Sequence, residues 1–221
     1  AKVNALDYYP SLFEEAFDSP EADLEKIQIA LSTYVRSMVS YRSKWDEGFA
    51  QNFQNFTPLE LEGKELFESN YKCNNCHNGS NFNGWGGDIA NIGLEHSDDI
   101  QDIGVGATWG ESLNGSFKVP SLRNTMVSAP YMHDGRFATI DDVIDHYDHG
   151  VIDSPKLDYR LRDLEFGFFD DIFFFEDFAD VGPRRLNTTP HERDALKAFL
   201  HTLTDEAYLN DVRYSNPFVM P

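Results

Sequence analysis

Cys73-Asn74-Asn75-Cys76-His77 is the stretch on which the reading of the chain turns. Its cysteines are the only 2 in 221 residues, and a histidine follows the second directly. A C-x-x-C-H run reads as a c-type haem attachment site. On one turn of helix each thiol can add to a haem vinyl group, and the adjacent imidazole then points at the iron. A zinc ribbon would need a second C-x-x-C. A thioredoxin-like dithiol would follow a strand in a βαβ pattern. The sequence offers neither. Haem c is attached outside the cytoplasm, so the motif implies a periplasmic or otherwise extracytoplasmic location.

Working outward, Thr57-Pro58-Leu59-Glu60 is a capping box with proline at the first helical position. The helix it opens carries Leu59, Leu66 and Phe67 on one side and ends just before the motif. Upstream, residues 42–56 lose periodicity and read as an exposed connection. Asp18-Ser19-Pro20-Glu21 is read as the start of a long helix, with Leu24, Ile27, Leu31, Tyr34, Val35 and Met38 on one apolar face and Met38 in the core. Residues 1–18 are mixed, with Tyr8-Tyr9-Pro10 as a breaker.

Downstream, residues 79–115 turn to Gly, Asn and Asp, a long loop suited to wrapping a haem edge. Asp88, Asp98, Asp99 and Asp102 in it lack EF-hand spacing and read as a solvated acidic loop. Residues 117–135 form a rigid loop. Thr139 and Asp142 cap a short helix with Ile140, Val143, Ile144 and Tyr147 on one face, and His146 and His149 fall off that face towards solvent. Residues 157–182 are an acidic-aromatic insertion, either a lid or a partner surface. Thr189-Pro190-His191-Glu192 opens a last amphipathic helix. The fold class is all-α, a cytochrome c-like haem domain with long ordered loops, read as a single domain over residues 1–221.

Acidic residues outnumber basic ones 38 to 18, for a net charge of -20. That argues against nucleic-acid or anionic-membrane binding, which need clustered Lys and Arg. It suits a basic partner protein, and a solvated acidic surface accounts for it equally. No apolar run approaches the roughly 20 residues of a transmembrane helix. The chain opens at Ala1 rather than Met and reads as a mature, processed or excised piece.

His77 supplies one axial ligand, and the second decides whether the haem carries electrons or reacts. Met126, Met132, His133, His146, Tyr147 and His149 are the candidates. A methionine raises the potential, whereas a tyrosine holds the ferric state. The residues alone leave the choice open, with Tyr147 favoured locally by its place on the apolar face.

The run Phe117–Asn124, the segment Ala129-Pro130-Tyr131-Met132-His133-Asp134-Gly135 and the C-x-x-C-H together resemble the bacterial di-haem cytochrome c peroxidases and their MauG-type relatives. Tyr9-Pro10-Ser11-Leu12-Phe13 and the terminal Ala198–Thr204 fit the same pattern, which covers nearly the whole chain except 157–182. The match is to the C-terminal half of that family. The N-terminal haem domain, where peroxide reacts, is absent, so the resemblance makes that domain a missing partner. In the intact protein it implies hydrogen peroxide reduction with one covalent haem c here, which transfers electrons. The resemblance implies a second iron ligand at Tyr147, where classical members carry Met and MauG-type members Tyr. It implies that His133 lies between the haems, that Arg123 holds a propionate, and that an interdomain calcium is bound by the backbone carbonyls of Ser128 and Pro130. The isolated chain is then expected to be six-coordinate and inactive towards peroxide. The competing functions are a stand-alone monohaem electron carrier and MauG-like oxidation of a partner protein.

Overall fold

The computed structural model describes residues 2–84, 86–94, 102–164 and 180–216, which fall into two compact units. One comprises residues 1–41 and 207–221, the other Arg42–Glu206. The architecture is helical with one small sheet, in keeping with the expected class. No helix among the described residues is long and apolar enough to cross a membrane.

The first unit holds α1 (Tyr9–Phe17) and α2 (Leu24–Ser37). Tyr8-Tyr9-Pro10 does not break the chain. Pro10 sits in the first turn of α1, where its missing N–H has no intrahelical carbonyl to meet. The expected start at Asp18 is instead the end of α1, with Asp18 left-handed at φ 51, and the cap of α2 is Asp23, whose carboxylate accepts from the Lys26 N–H at 2.8 Å. A larger correction concerns the apolar stripe of α2. Leu24, Leu31 and Val35 are 71%, 60% and 64% exposed, and α2 buries no residue. Periodicity gives a helix an apolar face but does not supply what covers it.

The second unit is built on the crossing of α4 (Pro58–Glu65) and α7 (Pro190–His201), with α3 (Lys44–Phe49) beside them. Both crossing helices begin with the predicted capping boxes, Thr57 with Glu60 and Thr189 with Glu192. The helices come into backbone contact at Gly63, where a Cβ would lie 1.9 Å from the Ala195 carbonyl oxygen. Fully buried Phe199 packs against Phe67, Trp45 and Phe82, with ring centroids 5.0, 5.7 and 6.3 Å away. Burying such a ring contributes about 1.5–3 kcal/mol.

The 42–56 stretch is therefore not an exposed connection. It folds as α3 under its own capping box, Ser43 with Asp46, and sends Trp45, Phe53 and Phe56 to the core. Its apolar residues are aromatics spread over one short helix and a turn, too irregular for a periodic signal. The Trp45 N–H donates to the Thr202 carbonyl at 2.9 Å, and the Asn124 N–H to that of Leu203 at 3.1 Å, so the end of α7 anchors the loops around the motif.

The remaining elements are short. The strand β1 (Ile89–Ala90) pairs antiparallel with β2 (Phe117–Lys118), Ile89 opposite Lys118 and Ala90 opposite Phe117. The helix α5 (Gly106–Trp109) lies between them in sequence, α6 (Ile140–Asp145) follows under the Thr139–Asp142 box, and α8 (Glu206–Leu209) comes last. Asp98, Asp99 and the Phe166–Phe175 aromatics lie outside the described residues.

Burial alone would raise Asp46 and Asp148, but hydrogen bonds from Arg123 and Ser43 to the first, and from Thr188 and Arg193 to the second, hold both below the ordinary carboxylate range. A depressed folded-state value stabilises above the unfolded value near 4 and is lost as pH falls through the folded one. The urea midpoint should therefore fall between pH 5 and pH 2, and more steeply than in Asp46→Asn.

Candidate haem site

The attachment motif begins where the helix before it changes pitch. After α4 the chain makes a π turn over Leu66–Asn70, and Lys72 then takes a left-handed conformation at φ 53. Cys73–Asn75 form one tight turn, with the His77 and Cys76 N–H groups donating to the Cys73 carbonyl at 2.9 and 3.2 Å. The single helical turn expected of C-x-x-C-H is thus present, and both thiols are free.

His77 is fixed through one ring nitrogen. Its Nδ1 lies 2.9 Å from the Phe82 carbonyl oxygen, and the Pro120 carbonyl also acts on the ring. Metal-ligating histidines are oriented in this way, and the arrangement presents Nε2. Burial pushes the imidazole below its ordinary range, which keeps it neutral and able to donate a lone pair.

A second π turn, His146–Gly150, carries Tyr147. Burial raises the phenol well above its ordinary range, and the Cys76 and Cys73 thiols are near enough to raise it further. Burial likewise pushes Cys73 up to about 11 and Cys76 to about 12. Yet Cys73, Cys76, His77 and Tyr147 all keep partial exposure. Two thiols, an imidazole pinned at Nδ1 and a phenol close to both thiols are a set of side chains that fits a covalently attached haem.

The other sequence candidates are distributed differently. Met126 packs against the hydrophobic core. Met132 stands at φ 72 in the loop after Pro130, and the adjacent His133 is exposed and stacked on Phe117 with ring centroids 3.7 Å apart. His149 is 70% exposed, as expected. His146 is not solvent-facing. It is 5% exposed, with Nε2 2.9 Å from the Ile92 carbonyl oxygen. The π turn explains the error, because an α-helical wheel assigns the wrong face to residues within a widened turn.

Arg123 has other partners than a propionate. Its guanidinium forms a two-pronged pair with Asp46 at 2.8 and 2.7 Å and donates to the Ser80 carbonyl, tying α3 to the loop after His77. The carbonyl-bearing residues Ser128 and Pro130 are exposed, and among the described residues no group of three or more His, Cys, Asp or Glu side chains could hold a metal ion.

Two arginines were missed by the sequence reading. Arg160 donates to Asp158 through Nε and Nη2 at 2.8 Å each, to Asp88 at 2.6 Å, to the Ile89 carbonyl at 3.0 Å and to that of Asn75 at 3.5 Å. Arg184 donates to the Tyr71 carbonyl at 2.5 Å and sits near Cys73, whose rise in pKa it opposes. Each attachment cysteine thus has a guanidinium on a neighbouring carbonyl, one neutralised by two carboxylates and the other joined to none among the described residues. Arg160 lies near the start of the 157–182 insertion and Arg184 just after it, and nothing in their local sequence points to the motif. The base of that insertion is closed: Arg184 N–H donates to the Leu161 carbonyl at 2.8 Å, Asp163 N–H to that of Gly182 at 3.0 Å, and Arg162 bridges to Pro183.

No protein-family profile matches the chain. Among curated proteins it is similar to the methylamine utilization protein MauG of Methylorubrum extorquens, at 28% identity over 165 residues, covering 74% of this chain and 46% of that protein. It is similar to cytochrome c551 peroxidase of Nitrosomonas europaea, at 29% identity over 146 residues, covering 65% of this chain and 43% of that one. The chain therefore spans about half the length of the curated relatives it matches, 46% and 43% in these two. Among solved structures it resembles a MauG-like protein associated with microbial copper homeostasis, with a TM-score of 0.68 and 27% identity over 93% of this chain and 65% of that one.

Proposed function

We propose a function from the premise that this chain belongs to the family of bacterial di-haem cytochrome c peroxidases and MauG proteins. Within that family we read it as the C-terminal, electron-transferring c-haem domain of a peroxidase-type oxidoreductase. The observation that supports the reading is the nearness of Tyr147 to Cys73 and Cys76, with His77 next to Cys76 in the chain. The two thiols would anchor one haem, His77 would ligate its iron through Nε2, and Tyr147 would be the second ligand. A haem so held supplies one-electron storage for a peroxide-reacting centre elsewhere in the intact protein.

The chain's own residues prepare that role. The Phe82 carbonyl fixes the imidazole, and burial keeps it neutral. Burial also keeps the Tyr147 hydroxyl protonated until a cation displaces the proton, so the position selects for the more highly charged ferric state. With His77 and Tyr147 both holding the iron, peroxide would find no place to bind. His133, exposed and stacked on Phe117, is the residue we assign to electron passage towards the missing haem domain. The carbonyls of Ser128 and Pro130 would contribute to a calcium shared with that domain. An extracytoplasmic location follows from haem c attachment. A tyrosine rather than a methionine near the two cysteines also favours a second reading, MauG-like oxidation of a docked protein.

Purified holo-chain should stain for covalent haem on a denaturing gel and gain the mass of one haem, and Cys73→Ala/Cys76→Ala should lose both signals. It should turn over peroxide at least roughly 100-fold more slowly than an intact di-haem relative, the scale on which general catalytic groups contribute. Rapid turnover by the isolated chain would reject the assignment.

A further inference from the structure

The turn that carries Tyr147 is fastened on both sides. On one flank His146 Nε2 lies 2.9 Å from the Ile92 carbonyl oxygen. On the other, Asp148 accepts from the Thr188 N–H at 3.0 Å, from the Thr188 hydroxyl at 3.0 Å and from Arg193 Nη2 at 2.7 Å. Arg193 also donates through Nε to the Thr188 hydroxyl at 2.8 Å and through Nη1 to Asp145. The Asp148 carbonyl accepts from the Leu186 N–H at 3.3 Å. Asp148 is 8% exposed, so these are not solvent-weakened surface contacts.

This fastening matters because of the shape of the turn. A π turn is less favourable than α-helix and persists where its surroundings impose it. It holds one residue more than an α-turn, and relaxing it would rotate side chains by roughly 100° about the axis. Rotation of that size would take the Tyr147 phenol away from Cys73 and Cys76. The ties run from Asp148 to Thr188, just ahead of α7, and to Arg193 on its first turns, in the best-packed part of the unit.

We propose that Asp148 and Arg193 are positioning residues for Tyr147, holding its turn in the π form so that the phenol stays beside Cys73 and Cys76. The consequence for iron rests on the ligand reading given above, but the geometric claim does not. The test uses haem-loaded chain containing 3-fluorotyrosine, with the Tyr147 fluorine resonance identified by its loss in Tyr147→Phe. In Asp148→Asn and Arg193→Gln that resonance should move towards the position of an exposed tyrosine. The phenolate-to-iron absorption should weaken by roughly tenfold, the scale of lost second-shell support. Arg193→Lys should recover part of both signals. Cooperative melting in variants whose fluorine resonance stays in place would overturn the proposal. If Tyr147→Phe leaves the iron absorption unchanged, the ligand reading fails by itself, and the fluorine resonance still decides the positioning claim. Should the two stronger variants not fold, Thr188→Val, which removes one hydroxyl from the clamp, is judged by the same displacement.

Discussion

Gly63→Ala should destabilise the unit Arg42–Glu206 by at least about 3 kcal/mol, the upper range for forcing an extra carbon into a packed core. Helix propensity alone gives the opposite sign, since alanine is favoured over glycine within a helix by about 1 kcal/mol. The steric effect should win because of what the new Cβ meets. It would lie 1.9 Å from the Ala195 carbonyl oxygen, 2.6 Å from the Ala195 carbonyl carbon and 2.9 Å from the Phe199 Cβ. None of these is the tip of a flexible side chain. The two helices would have to separate where Ala195 and Phe199 are both 0% exposed, which opens a void in the core. Against a typical total of 5–15 kcal/mol, such a loss leaves a marginal domain. A lower guanidinium midpoint with an unchanged slope is the expected result. A stabilised Gly63→Ala would show that the helices can part at little cost.

The second large effect is expected at Tyr147→Met. Axial ligands set haem potentials across about 0.8 V, and exchanging an anionic oxygen for a neutral sulfur should raise this one by on the order of 0.1 V or more. The phenolate-to-iron absorption should vanish, and a methionine-type ferric spectrum should replace it. On the proposed ligation a proton would compete with the iron for the Tyr147 phenol, and burial would strengthen that competition by raising the phenol's pKa. The parent chain's potential should therefore fall as pH rises, approaching about 59 mV per unit. Tyr147→Met should lack that slope. A redox titration at three pH values measures both quantities, and a variant matching the parent in spectrum and slope would send the search for the ligand to Met132 or Met126.

What could be read from the sequence was what local chemistry specifies. The C-x-x-C-H turn, and the boxes at Thr57, Thr139 and Thr189, are each written within five residues, and each forms as expected. Tyr147 was favoured by its apolar neighbours and then by resemblance, and the structure puts it near the two cysteines. Errors arose where a distant partner decides the outcome. The stripe on α2 has helical spacing, but spacing does not reveal that Leu24 and Val35 stay exposed. His146 was put on the wrong face because a π turn leaves no mark in residue types. Arg123 was singled out within a dense loop, yet its partner, Asp46, lies 77 positions earlier. Arg160 was overlooked for the same reason, since its contacts reach back 72 and 85 positions to Asp88 and Asn75.

The closed base beneath the aromatic insertion bears on how much such a chain can change without losing its haem site. Leu161 and Asp163 are joined to Arg184 and Gly182 by backbone hydrogen bonds, so the residues between them begin and end at one fixed point. Once the ends of a segment are pinned, each doubling of its length costs only about 0.6 kcal/mol in closure entropy. Arg160 and Arg184 lie at that join and reach the carbonyls of Ile89 and Tyr71. A change in the number of residues carried beyond the join is therefore expected to leave those two hydrogen bonds in place.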